Sequence, residues 1–272
     1  MKYIFLNLKR FDVERSKGGV NSISPIESWG SYIAETLNNG VQAYTNAAFV
    51  IFFPEAHILS AKSVLTNNSS IGLGCQGVHF ENTRFGGNFG AFTSSLPAAA
   101  ASSLGCSWTI IGHCEERNKL KYIGGTKEKI NEVLGKSVEC ALESGLKVLY
   151  CVGESAEEQH MKEDVLKEQL KPILDLPSSL NIVVGYEPVW AIGPGKVPPD
   201  EDYIRGITSY IKSLTSTPVV YGGGLKSENA PMLARIESID GGLIALTRFS
   251  GEIGFYPDEY LAIVQQYLGG LQ

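Results

Sequence analysis

Two hydrophobic rhythms alternate along the chain. Short apolar runs rich in β-branched and aromatic residues recur at Tyr3–Leu8, Ala48–Phe53, Ser70–Cys75, Trp108–Ile111, Lys147–Val152, Ile182–Tyr186, Pro218–Tyr221 and Leu243–Leu246. These read as strands. Between them lie longer stretches with helical periodicity, such as ESWGSYIAETLNN (27–39), TKEKINEVLGKSVECALESG (126–145) and DEDYIRGITSYIKSLTS (200–216). The last follows Pro198 and Pro199 and opens on Asp200, a helix start whose carboxylate favours the positive end of the helix dipole. The strand runs are apolar throughout, as parallel strands buried on both faces are. Eight strand–helix repeats in roughly 250 residues fit a closed (β/α)8 barrel better than an open doubly wound sheet. Some of these runs could instead be buried helix, because a short apolar run does not distinguish the two. No linker, charge block or low-complexity segment divides the chain, so one α/β domain is expected over 1–272. Gly86–Gly90 and the PAAAASS stretch read as local loop and helix features.

In such barrels the chemistry sits on the loops that follow the strands. The first run delivers Asn7 and Lys9, the third ends at Gln76, the fourth at His113, and the fifth reaches Glu154. The sixth ends on Glu187, the seventh on YGGG at 221–224, and the eighth on Thr247 and Arg248. Taken singly, each has an ordinary reading: a solvated lysine, a structural histidine, an exposed loop carboxylate. A lysine, a histidine and a carboxylate aimed at one mouth from distant repeats point instead to an enzyme.

Composition narrows the class. The chain has 272 residues, 43% hydrophobic and 19% charged, which is ordinary for a globular protein with a substantial core. A net charge of -6, with no basic arm, argues against a nucleic-acid partner. The opening MKYIFLNLKR is too short and too charged for a signal peptide. No stretch approaches the roughly 18–20 apolar residues of a membrane span. Five cysteines without a C-x-x-C pair fit reduced thiols and a cytoplasmic location. His57, His79 and His160 are scattered without ligand spacing, so no metal is expected.

The local words are more specific than the pattern. NLK at 7–9, IIGHCEER at 110–117, YEPVWAIGPGK at 186–196 and YGGG at 221–224 occur in order, with GAFTSS at 90–95, ESGLKVLYCVGE at 143–154 and IDGGLIAL at 239–246 between and after them. Together they resemble the triosephosphate isomerase family over essentially the whole chain. YEPVWAIG is the specific string; NLK alone would carry nothing. The resemblance implies a TIM barrel, no cofactor and an aldose–ketose isomerase of a short sugar phosphate. It implies Glu187 as the general base and His113 as a neutral group polarising the substrate carbonyl. The helix start at HCEERN supports that neutrality, a tuning already known for the family. Lys9 would supply positive charge and Asn7 a positioning donor, while Glu115 would hold Lys9 or relay protons. Gly193, Gly223 and Gly224 would lie against the substrate. The stretch from Pro188, Val189 and Trp190 through Ala191 and Ile192 to Gly195 and Lys196 would be a lid that protects the intermediate, with Tyr221 as its latch. A homodimer is implied too, with the loop NTRFGGNFGAFTSS and its Thr93 at the interface.

The departures cluster at the phosphate end. The family normally has a serine after YGG; here it is Gly224. Where a Gly-Gly pair should end strand eight and hold phosphate through its amides, the chain has Ala245 and Leu246, then Thr247 and Arg248. Side chains there would hinder close backbone approach. The following RFSGEIGFYPDEY is longer than expected, Ser94 and Ser95 replace a glutamate, and Cys114 stands where serine is usual. Cys114 reads either as a thiol activated at a helix start or as a small packing residue. Arg248 reads either as a replacement phosphate ligand or as a surface arginine on a remodelled loop. Dihydroxyacetone phosphate and glyceraldehyde 3-phosphate are the simplest substrate pair. A tetrulose phosphate, or a sugar-phosphate-binding barrel without turnover, are the other readings.

Overall fold

The computed structural model describes residues 1–176, 181–193 and 195–269; Pro194, inside the expected lid, lies outside them. Eight strands, β1 (Lys2–Asn7), β2 (Ala47–Phe53), β3 (Ile71–Cys75), β4 (Trp108–Ile111), β5 (Lys147–Val152), β6 (Ile182–Tyr186), β7 (Val219–Tyr221) and β8 (Gly241–Ile244), close into a barrel in sequence order. Every neighbouring pair is parallel, and β1 pairs with β8 to complete the ring. The helices that return the chain are α1 (Trp29–Val41), α2 (Ile58–Lys62), α3 (Ala98–Leu104), α4 (Cys114–Tyr122), α5 (Lys127–Glu143), α6 (Lys162–Leu174), α7 (Glu201–Leu214), α8 (Ala230–Ala234) and α9 (Pro257–Gly269).

The all-apolar strands serve two cores because successive side chains point to opposite faces. In β1, Phe5 points into the barrel, where it packs with Phe52, Trp108, Leu149, Val183 and Leu243. Ile4 and Leu6 point outward to meet the helix layer. Inside, Phe5 meets the edge of Trp108 at 5.2 Å between centroids, a favourable aromatic geometry. Each such fully buried side chain contributes about 2–3 kcal/mol, so the interior is a plug and not a channel. The mouth therefore rests on a rigid floor.

The helix starts follow their chemistry. Asp200 Oδ1 accepts from the Tyr203 amide at 2.8 Å and caps α7 as the sequence suggests. Thr126 does the same for α5. Three strands, β4, β5 and β6, have the bounds their apolar runs predict. The eighth does not: it begins at Gly241 and ends at Ile244, two residues earlier than expected at each end. Glycine pairs usually signal a turn, but here β1 crowds the position. A Cβ on Gly241 would fall 1.8 Å from the Tyr3 carbonyl oxygen, so only glycine lets the two strands meet. Ala245 and Leu246 consequently belong to the mouth and not to the wall.

Candidate active site

The mouth is built from strand ends. Beyond β1 the backbone of Lys9 turns into the left-handed region, φ 41°, an uncommon conformation for a residue with a side chain. Two side chains hold it there: Asn7 Oδ1 accepts the Lys9 amide at 3.0 Å, and Gln76 Nε2 donates to the Lys9 carbonyl at 2.9 Å. The ammonium then reaches Glu115 Oε1 at 2.6 Å. Burial of Glu115 opposes its ionisation, but the hydrogen bond and charge of Lys9 outweigh it and hold its carboxyl below the usual value. Further along the same loop, Asp12 Oδ2 meets Arg10 at 2.7 Å and His57 Nε2 at 3.2 Å. The buried Asp12–His57 contact, with Arg10 on its exposed side, fixes the segment that carries Lys9.

His113 is the N-cap of α4. Its Nδ1 accepts from the Glu115 amide at 3.3 Å, and an amide can only donate. The ring proton therefore belongs on Nε2, which faces Glu187 Oε1 at 3.2 Å. Arg117 pins the turn beneath the ring by donating to the carbonyls of Gly112 and Cys151 at 2.8 and 3.0 Å. Glu187 is only 2% exposed, and its Oε2 accepts from the Cys114 amide at 2.9 Å. The first amides of α4 thus serve both catalytic candidates, as orphan donors at a helix start can. The Cys114 thiol is pushed well above its usual pKa, first by burial and then by the charge of Glu187. That shift and the burial of the thiol favour the packing reading of Cys114 over an activated thiol.

The lid stretch begins as a single tight turn, Val189–Ala191. Trp190 Nε1 donates to Glu154 Oε1 at 2.8 Å, and the hydroxyls of Tyr186 and Tyr203 converge on the same oxygen at 2.9 Å each. Trp190 also meets Tyr203 edge to face at 5.5 Å. Glu154, fully buried, is therefore the hub that ties Trp190 and its turn to β6 and α7. The sequence places it at a strand end but gives it no role, since its three donors come from β6, the lid and α7. Tyr221 is buried beside the lid: a Cβ on Gly223 would fall 2.3 Å from the Tyr221 hydroxyl and 2.8 Å from Pro188 Cγ. Ile192, Gly193, Gly195 and Lys196 continue the rim, with Gly193 and Gly195 at positive φ.

Opposite the lid, the expected replacement ligand is already occupied. Arg248 donates twice to Glu259 Oε1, at 2.8 and 2.5 Å, and lies 3.9 Å over the Tyr256 ring. Its backbone bridges to Gly254. The arginine ties its own extended loop onto α9, which favours the remodelled-loop reading. The amides of Thr247 and Arg248 are likewise spent on the Gly254 carbonyl. Those of Gly224, Ala245 and Leu246 have no partner among the described residues. Thr93 is exposed on its long loop, flanked by the exposed rings of Phe85 and Phe89.

Comparison with known proteins places the chain in a family. A sequence model of the family described as triosephosphate isomerase matches residues 27–265. A triosephosphate isomerase of Psychrobacter sp. (strain PRwf-1) is 32% identical over 263 residues, covering 86% of this chain and 91% of that protein. One from Alkaliphilus metalliredigens (strain QYMF) is 35% identical over 234 residues, covering 81% and 86%. The crystal structure of triosephosphate isomerase from Bartonella henselae superposes with a TM-score of 0.72 at 26% identity, over 98% of this chain and 99% of that one. On the fold, the mouth and these relatives together, the chain belongs to the triosephosphate isomerase family.

Proposed function

We propose that this protein interconverts dihydroxyacetone phosphate and glyceraldehyde 3-phosphate, with Glu187 as base, His113 as the group that polarises the carbonyl and Lys9 as the neighbouring cation. The observation that carries the reading is the pairing of His113 Nε2 with Glu187 Oε1 at 3.2 Å. When a substrate carbonyl takes the place of Oε1 as acceptor for Nε2–H, the carboxylate is freed beside the adjacent carbon. Glu187 then removes a proton from that carbon. The electron pair moves into a carbon–carbon double bond, and negative charge gathers on the oxygen facing His113 and Lys9. The neighbouring hydroxyl proton passes to that oxygen by way of His113, and return of the first proton from Glu187 to the other carbon gives the isomer, with no net oxidation. Glu115 holds Lys9 in place, and Asn7 sets the backbone that carries it.

The amides at Gly224, Ala245 and Leu246, unpaired among the described residues, support an anionic end group, since free backbone N–H donors favour phosphate. The lid from Pro188 to Lys196, anchored through Trp190 on Glu154, supports protection of an intermediate that would otherwise shed phosphate. The same reading includes a homodimer joined through the loop around Thr93, whose exposed Phe85 and Phe89 need a cover in solution. It also includes a cytoplasmic location, consistent with five free and buried thiols; no helix among the described residues is long and apolar enough to cross a membrane. A coupled isomerase assay across triose and tetrose phosphates tests the function. Turnover is expected on the triose phosphates and lost in folded Glu187→Gln. Turnover on tetrulose phosphate alone would move the assignment to that substrate.

A further inference from the structure

Two of the family's expected phosphate features, the serine after YGG and the glycine pair after β8, are gone from this chain, and one cation stands between the two places. The β7–α8 connection runs along the wall of the mouth. The Gly222 amide donates to the Tyr186 carbonyl at 2.6 Å, and a Cβ on Gly222 would fall 2.9 Å from Glu187 Cγ. Three residues on, the Leu225 amide donates to the Leu243 carbonyl at 3.0 Å and ties this connection to β8. Asn229 clamps the turn between them: it accepts the Lys226 amide at 2.8 Å and donates to the Gly224 carbonyl at 2.9 Å. The Lys226 side chain then folds back over the glycine. A Cβ at position 224 would sit 3.4 Å from Lys226 Cε, and the backbone there has φ 93°, where a side chain is strained. The lysine stem thus lies in van der Waals reach of the place where a side chain at 224 would start.

The ammonium ends 3.9 Å from the centroid of Phe249, on the remodelled segment after β8. Among the described residues no carboxylate pairs with it, whereas Arg248 is bound to Glu259 and Lys9 to Glu115. The ring faces one side of the ammonium and leaves N–H donors over. Beside it lie the connections that supply the unpaired amides of Gly224, Ala245 and Leu246.

We propose that Lys226 is a substrate-binding residue that grips the phosphate group in place of the lost serine, with Phe249 as the ring that steers its ammonium. This rests on the sugar-phosphate isomerase reading above. A lysine serves phosphate as a mobile point charge, which suits a corner whose fixed donors have been thinned.

Lys226→Met and Lys226→Arg test it, with dihydroxyacetone phosphate as substrate and inorganic phosphate as competitive inhibitor. Loss of one hydrogen bond to a charged group predicts about a ten- to hundredfold rise in KM for Lys226→Met. The inhibition constant of phosphate should rise in parallel, kcat should change much less, and Lys226→Arg should recover most of the loss. KM and the phosphate constant both within twofold of wild type in folded Lys226→Met would overturn the proposal. So would a fall in kcat as large as the rise in KM, the mark of a displaced loop. Absence of turnover in the wild type would refute the isomerase reading instead, and calorimetric titration of phosphate into wild type and Lys226→Met would still decide the role of Lys226.

Discussion

Shortening the proposed base by one methylene, in Glu187→Asp, isolates its reach from its charge. The backbone cannot follow the shorter side chain, because the Glu187 amide is bound to the Val152 carbonyl at 2.8 Å and the next strand end bears on it through Gly222. The carboxylate must therefore retreat by about 1.5 Å, one carbon–carbon bond. Starting from 3.2 Å to His113 Nε2 and 2.9 Å to the Cys114 amide, that retreat takes it out of hydrogen-bond reach of both. A misplacement on the order of 1 Å costs about 10²-fold in rate, or about 2.7 kcal/mol of barrier. A coupled assay should thus show kcat about a hundredfold lower with KM within about threefold, since the phosphate end is untouched. A kcat within fivefold of wild type in a folded protein would mean that Glu187 does not move the proton.

Other outcomes follow from the surrounding groups. Glu154→Leu strands the buried Tyr186 hydroxyl and two half-buried donors on Trp190 and Tyr203; the buried donor alone costs about 1–3 kcal/mol when unpaired, so thermal unfolding should show a loss of at least about 1 kcal/mol, and an unchanged melting temperature would remove Glu154 as the hub of these contacts. Burial, helped by the neighbouring Glu154 charge, pushes the Tyr203 hydroxyl up to about 12. Its folded form keeps a proton the unfolded chain has lost, so its contribution to stability is full below pH 10 and drains away between about 10 and 12. Denaturant titrations across that window should show the decline in wild type and a shallower one in Tyr203→Phe; equal slopes would contradict the assignment. Replacing Phe85 and Phe89 by Asp should shift the protein to monomer in light scattering, and an unchanged mass would place the interface elsewhere.

Much of this architecture is legible in the chain because parallel barrel strands are apolar on both faces and stand out as unbroken runs. Trp108–Ile111, Lys147–Val152 and Ile182–Tyr186 match their strands. The eighth strand slipped because Gly241 looks like a turn residue until the approach of Tyr3 is seen. Lys9, His113 and Glu187 were visible as polar residues ending apolar runs, Glu115 only through the family resemblance, and the structure brings the four together. What stayed hidden depends on partners far apart in sequence. Glu154 gathers donors from three elements, and Arg248 is claimed by a glutamate eleven residues on. The Lys226 ammonium is held over a ring in another loop. A positively charged residue after a barrel strand signals a possible ligand contact; only geometry says which of two cations is free to make it.

The central claim is that a proton, and not a hydride, moves between adjacent carbons by way of Glu187. Dihydroxyacetone phosphate incubated with the protein in D2O and followed by NMR tests it directly. Glyceraldehyde 3-phosphate carrying solvent deuterium at C2 is the predicted result, with no labelled product from Glu187→Gln. Product free of solvent deuterium, or undiminished labelling by the variant, would contradict it.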